Sequence, residues 1–445
     1  MVPNPNQNKV YSLSLQAGQS IPQLNQSKSL VHSDIDVQPV EFTSQQTGHG
    51  VGANLQQAVS AKSSRLFFID NLRVFLIILV IMFHLAITYG AAGSWYYQDP
   101  TKDTLTSALL TILTATDQAF FMGLFFLISA YFIPGSYDRK GAGPFLRDRL
   151  LRLGIPLLFY DIVIDPFVAF IATGFHGSYG NFYASYLLAL RGLGQGPVWF
   201  IEALLYFTVL YALWRLLTKK RSKSLAPMTT NAPSVDTARM YPYPTYKHMI
   251  LYIVGLALVN FLIRLWLPIG WTFQLLNFQF PFFPQYISMF ILGIIAYRHS
   301  WFTRMPDAMG KVWLWVAIID LLLFPVVAIG GGAINHLDYF AGGLHWQAFF
   351  YAFWEAIMCV AMSTGLLVLF RKRFNRQGSF GKFLSANAYT VYILHPLVIV
   401  GLAYGLHTVT LYPLLKYGIA VMIALPCCFV LSALVRMIPY AKRIL

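Results

Sequence analysis

The chain has 445 residues, 57% of them hydrophobic and only 11% charged, with a mean hydropathy of +0.57. A soluble domain carries about a quarter of charged residues, so this balance excludes an ordinary soluble enzyme and implies a polytopic membrane protein. The formal net charge of +15 does not require nucleic acid, because basic residues on the cytoplasmic side are the orientation signal of such proteins.

Residues 1–62 are rich in Gln, Ser and Asn, lack apolar periodicity, and are expected to form a disordered cytoplasmic extension. No short apolar core of a cleavable signal lies near Met1. A helix needs about 20 apolar residues to cross a bilayer. The stretches long enough are 66–90, 105–133, 153–174, 198–218, 247–267, 282–299, 312–331, 346–370, 387–407 and 411–434. The expected fold is therefore all-α: about ten transmembrane helices in one bundle, spanning 63–437, with a flexible loop at 219–246 and a tail at 438–445.

Lys and Arg test this division. Arg139, Lys140, Arg147 and Arg149 share one connection, Lys219, Lys220, Arg221 and Lys223 the next, then Arg298, Arg304 and Lys311. Arg371, Lys372, Arg373, Arg376 and Lys382 follow, and Lys442 and Arg443 close the chain. With ten spans all of these lie on the side of the N-terminus, whereas the opposite connections hold little beyond Lys102 and Arg191. Both termini are thus expected in the cytoplasm, in a multi-pass protein of the plasma (inner) membrane.

The first span, FIDNLRVFLIILVIMFHLAITYG, carries Arg73 and His84 inside its apolar run. Ionisable groups in hydrocarbon are costly and belong to bundle interiors. Eleven residues turn a helix by about 1100°, three turns plus about 20°, so the two side chains share a face about 16 Å apart along the axis. They can line one tunnel from opposite depths. Plainer readings stand beside this: Arg73 reaching the headgroups or pairing with Asp70, and His84 hydrogen-bonded inside the bundle through Thr88.

Asp117 falls in the second span, Glu202 near the outer end of the fourth, Glu355 in the eighth and His395 in the ninth. Such groups together imply a polar chamber, in which a carboxylate beside a histidine orients a general base. In FLRDRLLRLGIP, Arg149 and Arg152 are spaced i, i+3 with Arg147 nearby, an arrangement suited to phosphate or to simple cytoplasmic anchoring. The three cysteines all sit in apolar runs, so neither a disulfide nor a metal site is expected.

Arg73-x10-His84 resembles the signature of acyltransferase family 3, the polytopic membrane O-acyltransferases. FFLISAYFIP (125–134) resembles that family's second-helix segment, with Ala130 where Gly is more usual. RLLRLGIP (149–156) resembles its Arg-x-x-Arg element, GPVWFIEALL its Trp-Phe element, and SANAYTVYILHPLVI (385–399) its Tyr-x-x-Tyr-x-x-His-Pro segment. These follow the family's order and cover nearly all of 66–434; the N-terminal 60 residues lie outside, and no esterase-like domain is appended. FWEAIMCVAMSTGLLVLFRKRFN is similar to the branch that includes glucan-succinylating enzymes.

The resemblance implies transfer of an acetyl- or succinyl-class group from cytoplasmic acyl-CoA to a hydroxyl of an extracytoplasmic glycan, without a metal. Arg149, Arg152 and Arg147 would hold CoA phosphates and Arg73 a donor phosphate or the thioester region. His84 would be general base or acyl relay, and Glu202, Glu355, His395 and Asp117 would serve it. The rival reading from the residues alone is a proton-coupled transporter or flippase using the same buried groups.

Overall fold

The computed structural model describes residues 65–99, 101–189, 195–223 and 243–441, with the side chains of 219–223 set aside. The extension 1–62, most of the loop 219–246, Arg191, and Lys442 and Arg443 lie outside the described residues, as do the side chains of Lys219, Lys220, Arg221 and Lys223.

Among the described residues ten helices are long and apolar enough to cross a membrane. They are α1 (Phe67–Thr88), α2 (Thr104–Lys140), α3 (Ala142–Ala172), α4 (Gly196–Thr218) and α5 (Tyr246–Arg264). Then follow α6 (Phe280–Arg298), α7 (Asp307–Gly330), α8 (Trp346–Arg373), α9 (Ser379–Gly405) and α10 (Pro413–Arg436). The protein is an all-α polytopic membrane protein, as expected. The main departure is α3, which starts at Ala142 rather than 153. The helix runs on through the basic segment by way of two π-helical turns, Leu150–Gly154 and Tyr160–Ile164. Charged residues lower the apolar score there without stopping the helix.

α2 and α8 form the buried centre, packed against α1 and against each other, with α9 on the far side of α1. α5, α7 and α10 present most of their surface outward. Transmembrane helices approach closely where side chains are small. On α8, Ala348, Ala352, Ala356, Cys359 and Ala361 are fully buried. A Cβ added at Gly365 of α8 would lie 2.6 Å from Leu314 of α7, so these helices meet at a glycine. Gly293 of α6 packs the same way on α2, where an added Cβ would sit 2.7 Å from Ala130 and within clash distance of the Leu127 carbonyl.

Candidate active site

His84 lies in the last turns of α1 and opens onto a cavity of about 910 Å³. The wall includes residues of α1 and α2 (Val80, Thr114, Gln118, Phe121), of α6 (Tyr286), of α4, α7, α8 and α9, and of four connections. These are α1–α2 (Trp95, Tyr96), α3–α4 (Gln195), α5–α6 (Asn277) and α7–α8 (Asp338). Successive spans alternate direction, so all four connections lie on the side where α1 ends. The chamber therefore faces the side opposite the basic connections.

Irregular backbone at membrane depth persists only when it lines a cavity and its polar groups are satisfied. The turn Gly196–Val198 that opens α4 meets both conditions. The Gly196 carbonyl accepts from Asn277 Nδ2 at 3.3 Å, and the Pro197 carbonyl accepts from the Tyr392 hydroxyl. Gln118 Nε2 donates to the Tyr286 hydroxyl at 2.8 Å, fixing two polar groups on the chamber wall.

The partner of His84 is a second histidine. His395 Nε2 lies 3.2 Å from His84 Nδ1, and His84 Nδ1 is 2.8 Å from the Val80 carbonyl. His395 Nδ1 is 2.8 Å from the Tyr392 carbonyl. Carbonyls only accept, so each neutral ring carries its proton on Nδ1. His395 then offers a bare Nε2 that shares the Nδ1–H of His84 with the Val80 carbonyl, and His84 is left with a bare Nε2 of its own. That nitrogen is the one a general base requires. Trp95 lies against the ring at a centroid distance of 3.9 Å, the two planes tilted by 31°. Thr88 bonds to the His84 backbone carbonyl, not to the ring.

Pro396 explains how His395 is held. The proline sits inside α9 and has no N–H, so the Tyr392 carbonyl one turn back loses its helical donor. The imidazole takes that place. Tyr389, Tyr392 and His395 thereby join three separate regions: Tyr389 donates to the Arg152 carbonyl at 2.6 Å, Tyr392 to Pro197, and His395 meets His84.

The carboxylates lie elsewhere. Glu355 is fully buried in an ion pair with Arg264 at 2.6 Å and accepts from Asn260 at 3.2 Å. Glu202 is buried and accepts from the Tyr206 hydroxyl at 2.8 Å. Asp117 is buried beside Tyr417 of α10. No carboxylate is among the hydrogen-bond partners of His84 among the described residues.

Arg73 occupies the other end of α1. It lies 3.8 Å from Asp70, which also pairs with Arg65 at 2.7 Å, and over the Phe132 ring at 4.9 Å. Arg73 and Arg152 are charged neighbours of Arg149, so three guanidiniums gather here, with Arg147 near Asp148 on the same helix. The chamber wall ends at Val80 and does not include Arg73. One turn further, Ile77 is buried, as are Phe125 and Ile128 of α2. Since Phe83 packs on Phe121 and Arg73 on Phe132, these residues, here called the septum, fall between chamber and arginines along α1 and α2. Trp95, Tyr96, Gln118 and Tyr286 were not expected at the site; aromatic and amide residues near span ends are too common in membrane proteins to single them out.

The acyltransferase-domain family model matches residues 66–433, nearly all of the bundle. The chain belongs to acyltransferase family 3. Within the family it is similar to the glucans biosynthesis protein C of Salmonella paratyphi B, with 33% identity over 99 residues. The same figures hold for the proteins of that name from Salmonella heidelberg and Salmonella agona. The aligned stretch is 22% of this chain and 24% of each relative, so the chain matches about a quarter of their length. No solved structure matches the chain.

Proposed function

We propose that the protein transfers an acyl group of the acetyl or succinyl class from acyl-CoA to a hydroxyl of a glycan acceptor. The observation that carries this is the bare Nε2 of His84 on the wall of a chamber opposite a cluster of three arginines. In this reading the basic connections, both termini and the CoA phosphates are cytoplasmic, in the plasma membrane. Arg149 and Arg152, with Arg147, hold the phosphates, and Arg73 meets the donor at the entrance to the septum. The extended pantetheine arm covers the about 16 Å from Arg73 to His84.

His84 Nε2 removes the proton of the acceptor hydroxyl as its oxygen attacks the thioester carbonyl. The tetrahedral carbon collapses, the C–S bond breaks, and the thiolate leaves with the proton from the imidazolium. His395 orients the His84 ring. Asp117, Glu202 and Glu355 act from outside the chamber, through the packing of α2, α4 and α8. The similarity to glucans biosynthesis protein C supports a glucan as acceptor.

Purified protein in lipid nanodiscs, given acyl-CoA and a soluble glucan, should release CoA thiol and acylated glucan without any transmembrane gradient. His84→Ala should lower that rate by at least about 100-fold, the range of a lost general base. A variant that keeps the wild-type rate would remove His84 from this role. Turnover that needs a gradient would favour the transporter.

A further inference from the structure

Tyr389 of α9 reaches the arginine cluster from across the bundle. Its hydroxyl donates to the Arg152 carbonyl at 2.6 Å, over a separation of 237 positions. We propose that Tyr389 is a positioning residue of the donor site. It holds the backbone of Arg152 so that the guanidinium stands beside Arg149 for a phosphate of acyl-CoA. The proposal rests on the acyl-transfer reading above, in which these arginines bind the donor, and adds what sets their geometry.

Arg152 needs such a hold because its stretch of α3 is irregular. It lies in the π-helical turn Leu150–Gly154, after which the Ile155 N–H bonds to the Leu150 carbonyl. Pro156 stands four residues beyond Arg152 and has no N–H, so the regular helical donor to the Arg152 carbonyl is missing. The Tyr389 hydroxyl supplies a donor instead. One side of this stretch packs inward through Leu153, Pro156 and Leu157, which are buried. The other side has no such support: Leu151, Ile155 and Leu158 are exposed, as is Arg152 itself.

The element that does the holding is itself well fixed. α9 packs along the later part of α3, at Tyr160–Ile164 and Asp165–Ala172. Tyr389, Tyr392 and His395 follow at i, i+3 and i+6, and the latter two meet the Pro197 carbonyl and His84. The rise from Tyr389 to His395 is about 9 Å. A single helix therefore bears on a donor arginine at one point and on the histidine pair at another. The same device serves both: Pro396 leaves the Tyr392 carbonyl to His395, and Pro156 leaves the Arg152 carbonyl to Tyr389. A phosphate shared by two guanidiniums depends on their mutual geometry. Loss of the tie should thus fall on donor affinity, while His84 keeps its own partner in His395.

The test uses the purified full chain in lipid nanodiscs, with acetyl-CoA or succinyl-CoA as donor and a soluble glucan as acceptor. Tyr389→Phe keeps the ring and removes only the hydroxyl. It should raise the KM for acyl-CoA about three- to tenfold, the range of one hydrogen bond, and leave kcat at saturation within about twofold. In an Arg152→Ala background the same substitution should change KM by less than about twofold, because the guanidinium it positions is gone. A merely structural role would instead add the two effects in full. Full additivity, an unchanged KM in Tyr389→Phe, or a loss confined to kcat would each overturn the positioning role. A wild-type KM in Arg152→Ala, or a wild type that turns over no acyl-CoA, would overturn the reading beneath it, and the positioning role with it.

Discussion

Pro396 does its work through an atom it lacks. With no N–H to give, it leaves the Tyr392 carbonyl to the His395 ring, and that bond decides which nitrogen of His395 faces His84. Pro396→Ala returns a backbone donor to compete for the carbonyl. It should lower kcat by about tenfold, with little change in KM for acyl-CoA. His395→Leu should cost about 10- to 100-fold in kcat, and His395→Gln, whose amide oxygen can still accept from His84 Nδ1, should recover part of it. Steady-state kinetics of the three variants checks both statements; equal losses for Leu and Gln would mean that His395 only fills space. His84 and His395 were each legible in the sequence as buried ionisable groups. Their meeting was not, because 311 positions separate them and either could have faced a carboxylate.

Among elements, the α1–α2 connection that carries Trp95 and Tyr96 is tied down at two points on its α2 side. Lys416 of α10 pairs with Asp99 at 2.5 Å, and Tyr412 donates to Asp103 at 2.8 Å. Asp103 also caps α2, accepting from the Thr106 N–H at 2.9 Å. Hydrogen bonds from Thr106 and Tyr412 hold its carboxyl below the usual carboxylate range, so the cap is intact at neutral pH and fails only as pH falls through that lowered value. The α2–α6 contact explains the segment in which Ala130 stands where Gly is more usual: its partner, Gly293, supplies the missing space. Gly293→Ala should destabilise the protein by about 1–3 kcal/mol, seen as a lower Tm in detergent. Ala130→Gly should not restore it, because the Leu127 carbonyl is backbone and cannot be trimmed. A full rescue would place the strain between the two side chains instead. The element order was legible because a span is a local, one-dimensional signal. The start of α3 was not, because charge ends an apolar run without ending a helix.

For the whole molecule, the proposed reaction divides the labour between two ends of the bundle. Arg149→Ala with Arg152→Ala should raise the KM for acyl-CoA by about tenfold or more and leave kcat at saturation within about threefold. Replacing both by Lys should recover little if the contact is bidentate, and nearly everything if only charge matters. Titration of acyl-CoA against the purified variants distinguishes these outcomes, and an unchanged KM would return the pair to an anchoring role. The separation into a basic end and a histidine end was visible in the spacing of Arg73 and His84. The septum between them was not, since Ile77, Phe125 and Ile128 read as any other apolar residues until the Phe83–Phe121 and Arg73–Phe132 contacts align α1 with α2.

Under the proposed reaction that septum would also insulate. A membrane potential stores about 2.3 kcal/mol per elementary charge per 100 mV. An open aqueous channel from the arginines to the chamber would short it with every passing proton. In the proposed reaction, a plug of aliphatic and aromatic side chains parted by one narrow flexible arm would let a covalent bond change hands between compartments while the voltage across them survives.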